Sequence, residues 1–273
     1  MNQLSTSDRV QVISALVEGC SIRAAVRMTG VAKNTVVKLL AGLGQKCLEY
    51  HDAHVQNLKS KRVQMDEIWS FCHSKEQNVK PENWGKGHGD VWTWVALDGD
   101  SKLVTNWHVG GRDQSAAQTF VADLASRLTD RIQLTSDGWG PYRQAVKRAF
   151  GNDVDYAMLV KEYATVRQGY ARYSPPECIS THSKVETGYP AEKHICTSFV
   201  ERQNLTMRMG MRRFTRLTNG FSKKLENLKH NVALHFMHYN FCRVHQTLRV
   251  TPAMESGLTD HVWEIEELVA LLG

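Results

Sequence analysis

Two stretches of this sequence are as apolar as interior β-strands, and each carries an acid. Asp66 lies inside RVQMDEIWSF, and Asp137 closes RIQLTSD. An ionised carboxylate in a sheet interior is costly unless a cation or a donor meets it. A third acid, Glu201, opens the basic helical stretch FVERQNLTMRMGMRR. A fold for this chain must therefore bring buried acids to a place where something positive neutralises them. Divalent metals suit that task, and carboxylate ligands select hard Mg²⁺ or Mn²⁺ over zinc.

Charge is distributed unevenly along the 273 residues. Residues 1–62 hold nine Lys/Arg against four Asp/Glu, and residues 201–250 hold ten against two. Residues 251–273 hold five acids and no Lys or Arg. Two basic zones around a mildly acidic centre suit a protein that grips phosphates while holding cations at a site. The six cysteines are scattered without the two-residue spacing of a zinc knuckle or redox pair, as in a reduced, cytoplasmic protein. His194 and Cys196, with His182 and Cys178 upstream, form a weaker zinc candidate. No run approaches the ~20 apolar residues of a membrane helix, so no membrane partner is expected.

Residues 1–60 read as a helix-turn-helix DNA-binding domain with a linker. Val10, Ile13, Leu16 and Val17 recur at helical spacing, and Gly19 ends that run. Ser21 caps a second helix, and Gly30 makes the turn into a third over residues 33–42, with residues 43–61 continuing as helix and linker. Lys33, Asn34, Thr35 and Lys38 then lie on the exposed start of the third helix, where base edges and phosphates would be met. Any small three-helix bundle would show much of the same pattern.

Residues 61–250 read as a mixed α/β domain. The strand over residues 63–71 puts Asp66 and Glu67 on opposite faces, so only one of them is expected to point into a given site, and Asp66 is chosen. The GKG segment at residues 85–87 lacks the spacing of a phosphate loop. Two strands joined at Asp98-Gly99-Asp100 follow, then a helix capped by Asp113, a strand ending at Asp137, a helix from Pro141 and one more strand. That order is the one of an RNase H-like fold, with Asp66 in the first strand and Asp137 at the end of the fourth, side by side. Residues 166–195 read as a long irregular loop. Trp139 is either a base-stacking platform or a lid on the core.

In the basic stretch, Glu201 and Arg208 are two helical turns apart and share a face. Arg202, Arg212, Arg213 and Arg216 add phosphate-binding capacity. A further helix is expected over residues 222–245, and residues 251–273 are read as an acidic C-terminal helix.

The segments MDEIWSF, SDGWGPY and FVERQNLTMRMGMRRFTRLTNGFSKKLE resemble the catalytic region of bacterial insertion-sequence transposases of the IS-one family. The resemblance spans about residues 63–245. It implies an RNase H-like DDE catalytic domain, two Mg²⁺ or Mn²⁺ ions, and cutting and joining of double-stranded DNA at element ends and targets. It also implies a bacterial, nucleoid-associated setting. Carried over residue by residue, the acidic triad and metal ligands fall on Asp66, Asp137 and Glu201, and the basic partner on Arg208. Pairing of two ends implies at least a homodimer. The cysteine-based zinc finger that family members carry before the helix-turn-helix is not seen here. Two other readings share these residues: a catalytically silent DNA-binding regulator derived from a transposase, and a nuclease that cuts without joining.

Overall fold

A computed structural model describes residues 4–164, 177–215 and 218–273. Three helices come first: α1 (Thr6–Val17), α2 (Ile22–Thr29) and α3 (Lys33–His54). The Ser21 hydroxyl accepts the Ala24 N–H and caps α2, and Gly30 closes it in the left-handed conformation. The third helix runs far past residue 42. Its Gly44 sits against α7 (Leu225–Met237), where a Cβ would come 2.3 Å from the His230 carbonyl. Gly44, inside the expected helical continuation, is the crossing point of two helices.

The centre is a six-stranded sheet. Its strands are β1 (Arg62–Cys72), β2 (Gly89–Asp98), β3 (Val104–Gly110), β4 (Ile132–Asp137), β5 (Val154–Tyr163) and β6 (Cys178–Thr187), in the order β3-β2-β1-β4-β5-β6. β1, β2 and β3 form an antiparallel meander, and β4 is parallel to both β1 and β5. The Asp98 carboxylate shapes the β2–β3 turn by accepting the N–H groups of Asp100 and Ser101. α4 (Gln114–Ser126), capped by Asp113, and α5 (Pro141–Phe150) cover one face. There Val63, Met65, Trp94 and Leu134 meet Phe120, Leu124 and Tyr142. α6 (Ser198–Gly210) and α7 cover the other, where Ile68, Val95 and Val104 meet Val200, Met207 and Phe236.

β6 corrects part of the expected loop over residues 166–195. Residues 165–176 lie outside the described residues, but residues 178–187 pair antiparallel with β5. The strand was hidden because it is a sheet edge: eight of its ten residues are exposed, so no apolar alternation marks it. The C-terminal stretch is also less helical than expected. α8 (Pro252–Glu255) and α9 (Ile265–Ala270) are short, and Leu268 and Val269 of α9 pack into the same apolar cluster as Ile13, Leu40 and Phe241. The N-terminal helices thus share a core with α7 and α9. Arg127, only 4% exposed, ties α3 to the end of α4 by pairing with Asp52 at 2.6 Å and Asp123 at 2.9 Å. Among the described residues no helix is long and apolar enough to cross a membrane.

Candidate metal centre

Strand register explains why the acids meet. Gln64 of β1 lies beside Thr135 of β4, so two residues on, Asp66 and Asp137 fall on the same face. Pairing between β1 and β4 stops at Met65 and Ser136. The strand ends therefore open at the position of the acids. One carboxylate oxygen from each of Asp66, Glu67 and Asp137 lies within 4.8 Å of the others. This corrects the expectation that only one of the two neighbouring acids reaches the site. Beyond the end of their β4 pairing, side chains from both faces of β1 approach the Asp137 carboxylate.

Each acid is fixed differently. Asp137 Oδ1 accepts the Trp139 N–H at 3.0 Å, so the SDGW turn orients it. Gly138 permits that turn: a Cβ there would come 3.1 Å from Val160. Asp66 Oδ2 accepts a hydrogen bond from Asn204 Nδ2 at 2.7 Å. Glu67 is spent on protein partners. Its Oε1 pairs with Arg112 at 2.6 Å, and its Oε2 accepts the buried Tyr142 hydroxyl at 2.8 Å.

Glu201 stands in the first turn of α6, outside the three-acid group. Its carboxylate pairs with Lys161 of β5 and accepts the Thr197 hydroxyl. The helix itself is docked by Gln64, whose side-chain oxygen accepts the N–H groups of Phe199 at 2.9 Å and Val200 at 3.1 Å. A strand residue thus caps the helix, satisfying donors that α6 leaves open at its start. Gln64, Asp66 and the α6 residues all work on one face of the sheet.

Electrostatics at the centre are unfavourable as the protein stands. Burial, with the charges of Glu67 and Asp137 beside it, pushes the Asp66 carboxyl up to about 7. Burial likewise raises Asp137 and Glu67, against the pull of Arg112 on both. The Lys161 ammonium is disfavoured by burial, but its Glu201 partner outweighs that and holds it above its ordinary value. Asn204 Oδ1, in a residue only 6% exposed, has no hydrogen-bond partner among the described residues. The convergence of Asp66 and Asp137, their disfavoured ionisation and an orphaned amide oxygen fit a hard divalent cation. No His/Cys metal group occurs among the described residues; His194 instead meets Arg62, and Cys196 meets Gln64.

The remaining predicted residues are dispersed. Lys33, Asn34 and Lys38 are exposed at the start of α3, and Thr35 is half-buried. Arg202 and Arg212 are exposed, and Arg208 is half-buried two turns along α6 from Glu201. Burial pushes the Arg213 guanidinium down to about 10. Arg216 lies outside the described residues. Trp139 is half-buried, with its ring 5.2 Å from Trp94 and 5.5 Å from Tyr142. Sequence reasoning missed Gln64, Arg112, Lys161 and Asn204. Only the in-strand position of Gln64, polar on an apolar segment, offered a signal.

No known family model matches the chain, and no curated protein matches it as a relative. Among solved structures it is similar to the piggyBac transposase in a synaptic complex with hairpin DNA. That match has a TM-score of 0.36 and 13% identity, and covers 92% of this chain and 56% of that one. The chain therefore spans little over half the length of that protein. It is also similar to the Mos1 transposase strand transfer complex, at a TM-score of 0.24 and 11% identity, covering 86% of this chain and 76% of that one. The Mos1 paired-end complex with the left transposon end matches at 0.23 and 11%, covering 54% and 58%. Scores this low carry no weight, and the reading of the site rests on its own geometry.

Proposed function

We propose that this chain is a DDE-type transposase of the insertion-sequence kind, with an RNase H-like catalytic domain that cuts and joins double-stranded DNA. The observation that carries the reading is the convergence of Asp66 and Asp137 from two neighbouring parallel strands, on the face to which α6 delivers Glu201. The meander followed by helix, strand, helix and strand is the order expected of that fold.

In this reading Asp66, Asp137 and Glu201 hold two divalent ions, Mg²⁺ or Mn²⁺. Bound there, the ions would neutralise phosphate charge and favour ionisation of an attacking hydroxyl. The protein supplies placement. Asn204 fixes Asp66, the Trp139 N–H fixes Asp137, and Thr197 holds Glu201. Glu67 is not a ligand in this scheme, because both its oxygens are already committed. Lys33, Asn34, Thr35 and Lys38 at the start of α3 grip the DNA duplex, as a helix-turn-helix does. Arg202, Arg208 and Arg212 extend the basic surface along and beyond α6. Bringing two element ends together requires at least two copies of the chain.

The test is a strand-transfer assay with the full chain, a pre-cut duplex end, a target plasmid and Mn²⁺. Joined products that vanish in Asp137→Asn support the proposal. Cleavage without joining identifies a nuclease, and DNA binding with neither reaction identifies a silent regulator.

A further inference from the structure

Arg112 stands in the turn between β3 and α4 and was not singled out by any sequence pattern. Its guanidinium lies 4.8 Å from the Trp92 ring centre and 4.9 Å from that of Trp139. Its Nε donates to Glu67 Oε1 at 2.6 Å, and Nη2 forms an ion pair with the same oxygen at 2.6 Å. Glu67 is held in turn by Tyr142, so the guanidinium is anchored through a buried acid and two aromatic faces. Nη1 takes no hydrogen-bond partner among the described residues, and the side chain remains 34% exposed. Trp139 is the residue whose N–H orients Asp137, which places this cation at the rim of the acid cluster.

A surface arginine needs none of this. Ion pairing alone would neutralise Glu67, yet Trp92 and Trp139 also hold the guanidinium, and Tyr142 fixes the acid it pairs with. A planar cation stacked on aromatic rings and paired with a buried carboxylate oxygen has lost much of its rotamer freedom before any ligand arrives. An outward donor edge fixed in that way matches a phosphate oxygen.

Resting on the DNA-cutting reading above, we propose that Arg112 is a phosphate-binding residue. The Glu67–Tyr142–Trp92–Trp139 frame aims its free edge at a backbone phosphate of the strand that lies over Asp66 and Asp137. Glu67 is the positioning residue that sets its direction. The proposal accounts for the second acid of the Asp66–Glu67 pair, which the metal scheme leaves without a task.

The experiment is an anisotropy titration of a labelled duplex with the full chain, in Ca²⁺, across a range of salt. Arg112→Gln is expected to bind about tenfold more weakly, and its plot of log affinity against log salt should be shallower by about one. Arg112→Lys should recover the slope but only part of the affinity, because lysine keeps the charge without the fork. Removing Arg112 leaves Glu67 buried and unpaired, so the double variant Arg112→Gln/Glu67→Gln guards against simple unfolding. A double variant that melts like the wild type and keeps its affinity and slope overturns the role of Arg112 alone. A wild-type chain that does not bind the duplex overturns this inference and the DNA-cutting reading together.

Discussion

Asn204 of α6 and Asp66 of β1 are joined by a 2.7 Å hydrogen bond across 138 residues of sequence. That bond, with the Gln64 side chain of β1 capping Phe199 and Val200 at the start of the helix, fixes α6 on the sheet with Glu201 one turn before Asn204. The placement of the third acid thus depends on two polar residues that bind no substrate in this scheme.

Asp66→Asn is expected to abolish strand cleavage while making the metal-free protein more stable. Burial and the neighbouring acids already disfavour the charged carboxylate. Replacing it with an amide should gain on the order of 1–3 kcal/mol in chelator-treated protein. Urea unfolding in EDTA checks the sign; an Asp66→Asn protein less stable than the wild type would contradict it.

Acid stability should depend on His235. Burial pushes this histidine down to about 3. Unfolded, it takes up a proton near pH 6.5, so the unfolded chain binds more protons between roughly 3 and 6.5. Stability is therefore full above that window and falls as pH drops through it. At pH 4.5 the cost is about 2–3 kcal/mol. His235→Leu should flatten the stability profile over that range relative to the wild type, measured by thermal unfolding at several pH values. Parallel profiles would rule out this role.

Gly44→Ala should destabilise the protein by about 2 kcal/mol or more, although alanine is the better helix former. The added methyl would sit 2.3 Å from the His230 carbonyl oxygen and force α3 away from α7. Equilibrium denaturation measures it, and a stabilised variant would show that the helices do not cross there.

Reading the sequence located Asp66 and Asp137 because an acid in an apolar strand is conspicuous. The same patterning gave the order of β1 to β5 and the caps Ser21 and Asp113. It failed where a residue's purpose lies in a distant partner. Gly44 lies in the expected helical continuation with no mark of its close neighbour, and Gln64 and Arg112 drew no reading of their own. Lys161 gave no sign that it would pair with Glu201, since β5 and α6 meet only through the fold. The parity of Asp66 and Glu67 was read correctly. The end of β1–β4 pairing at Met65, which lets both approach Asp137, is a tertiary fact.

Arg127→Met should cost about 1–2 kcal/mol, because it removes the hydrogen bonds and ion pairs that join half-exposed Asp52 and Asp123 at the junction of α3 and α4. Limited proteolysis should then release the N-terminal helices earlier than in the wild type. Unchanged cleavage kinetics would show that the apolar cluster alone holds them.

The most direct measurement is an anomalous-difference map from crystals of the full chain soaked in Mn²⁺. The expected result is manganese between Asp66 and Asp137, with Glu201 turned from Lys161 toward it. Manganese absent from that pair of aspartates, or bound elsewhere while they stay bare, would contradict the assignment of this cluster as a catalytic metal centre.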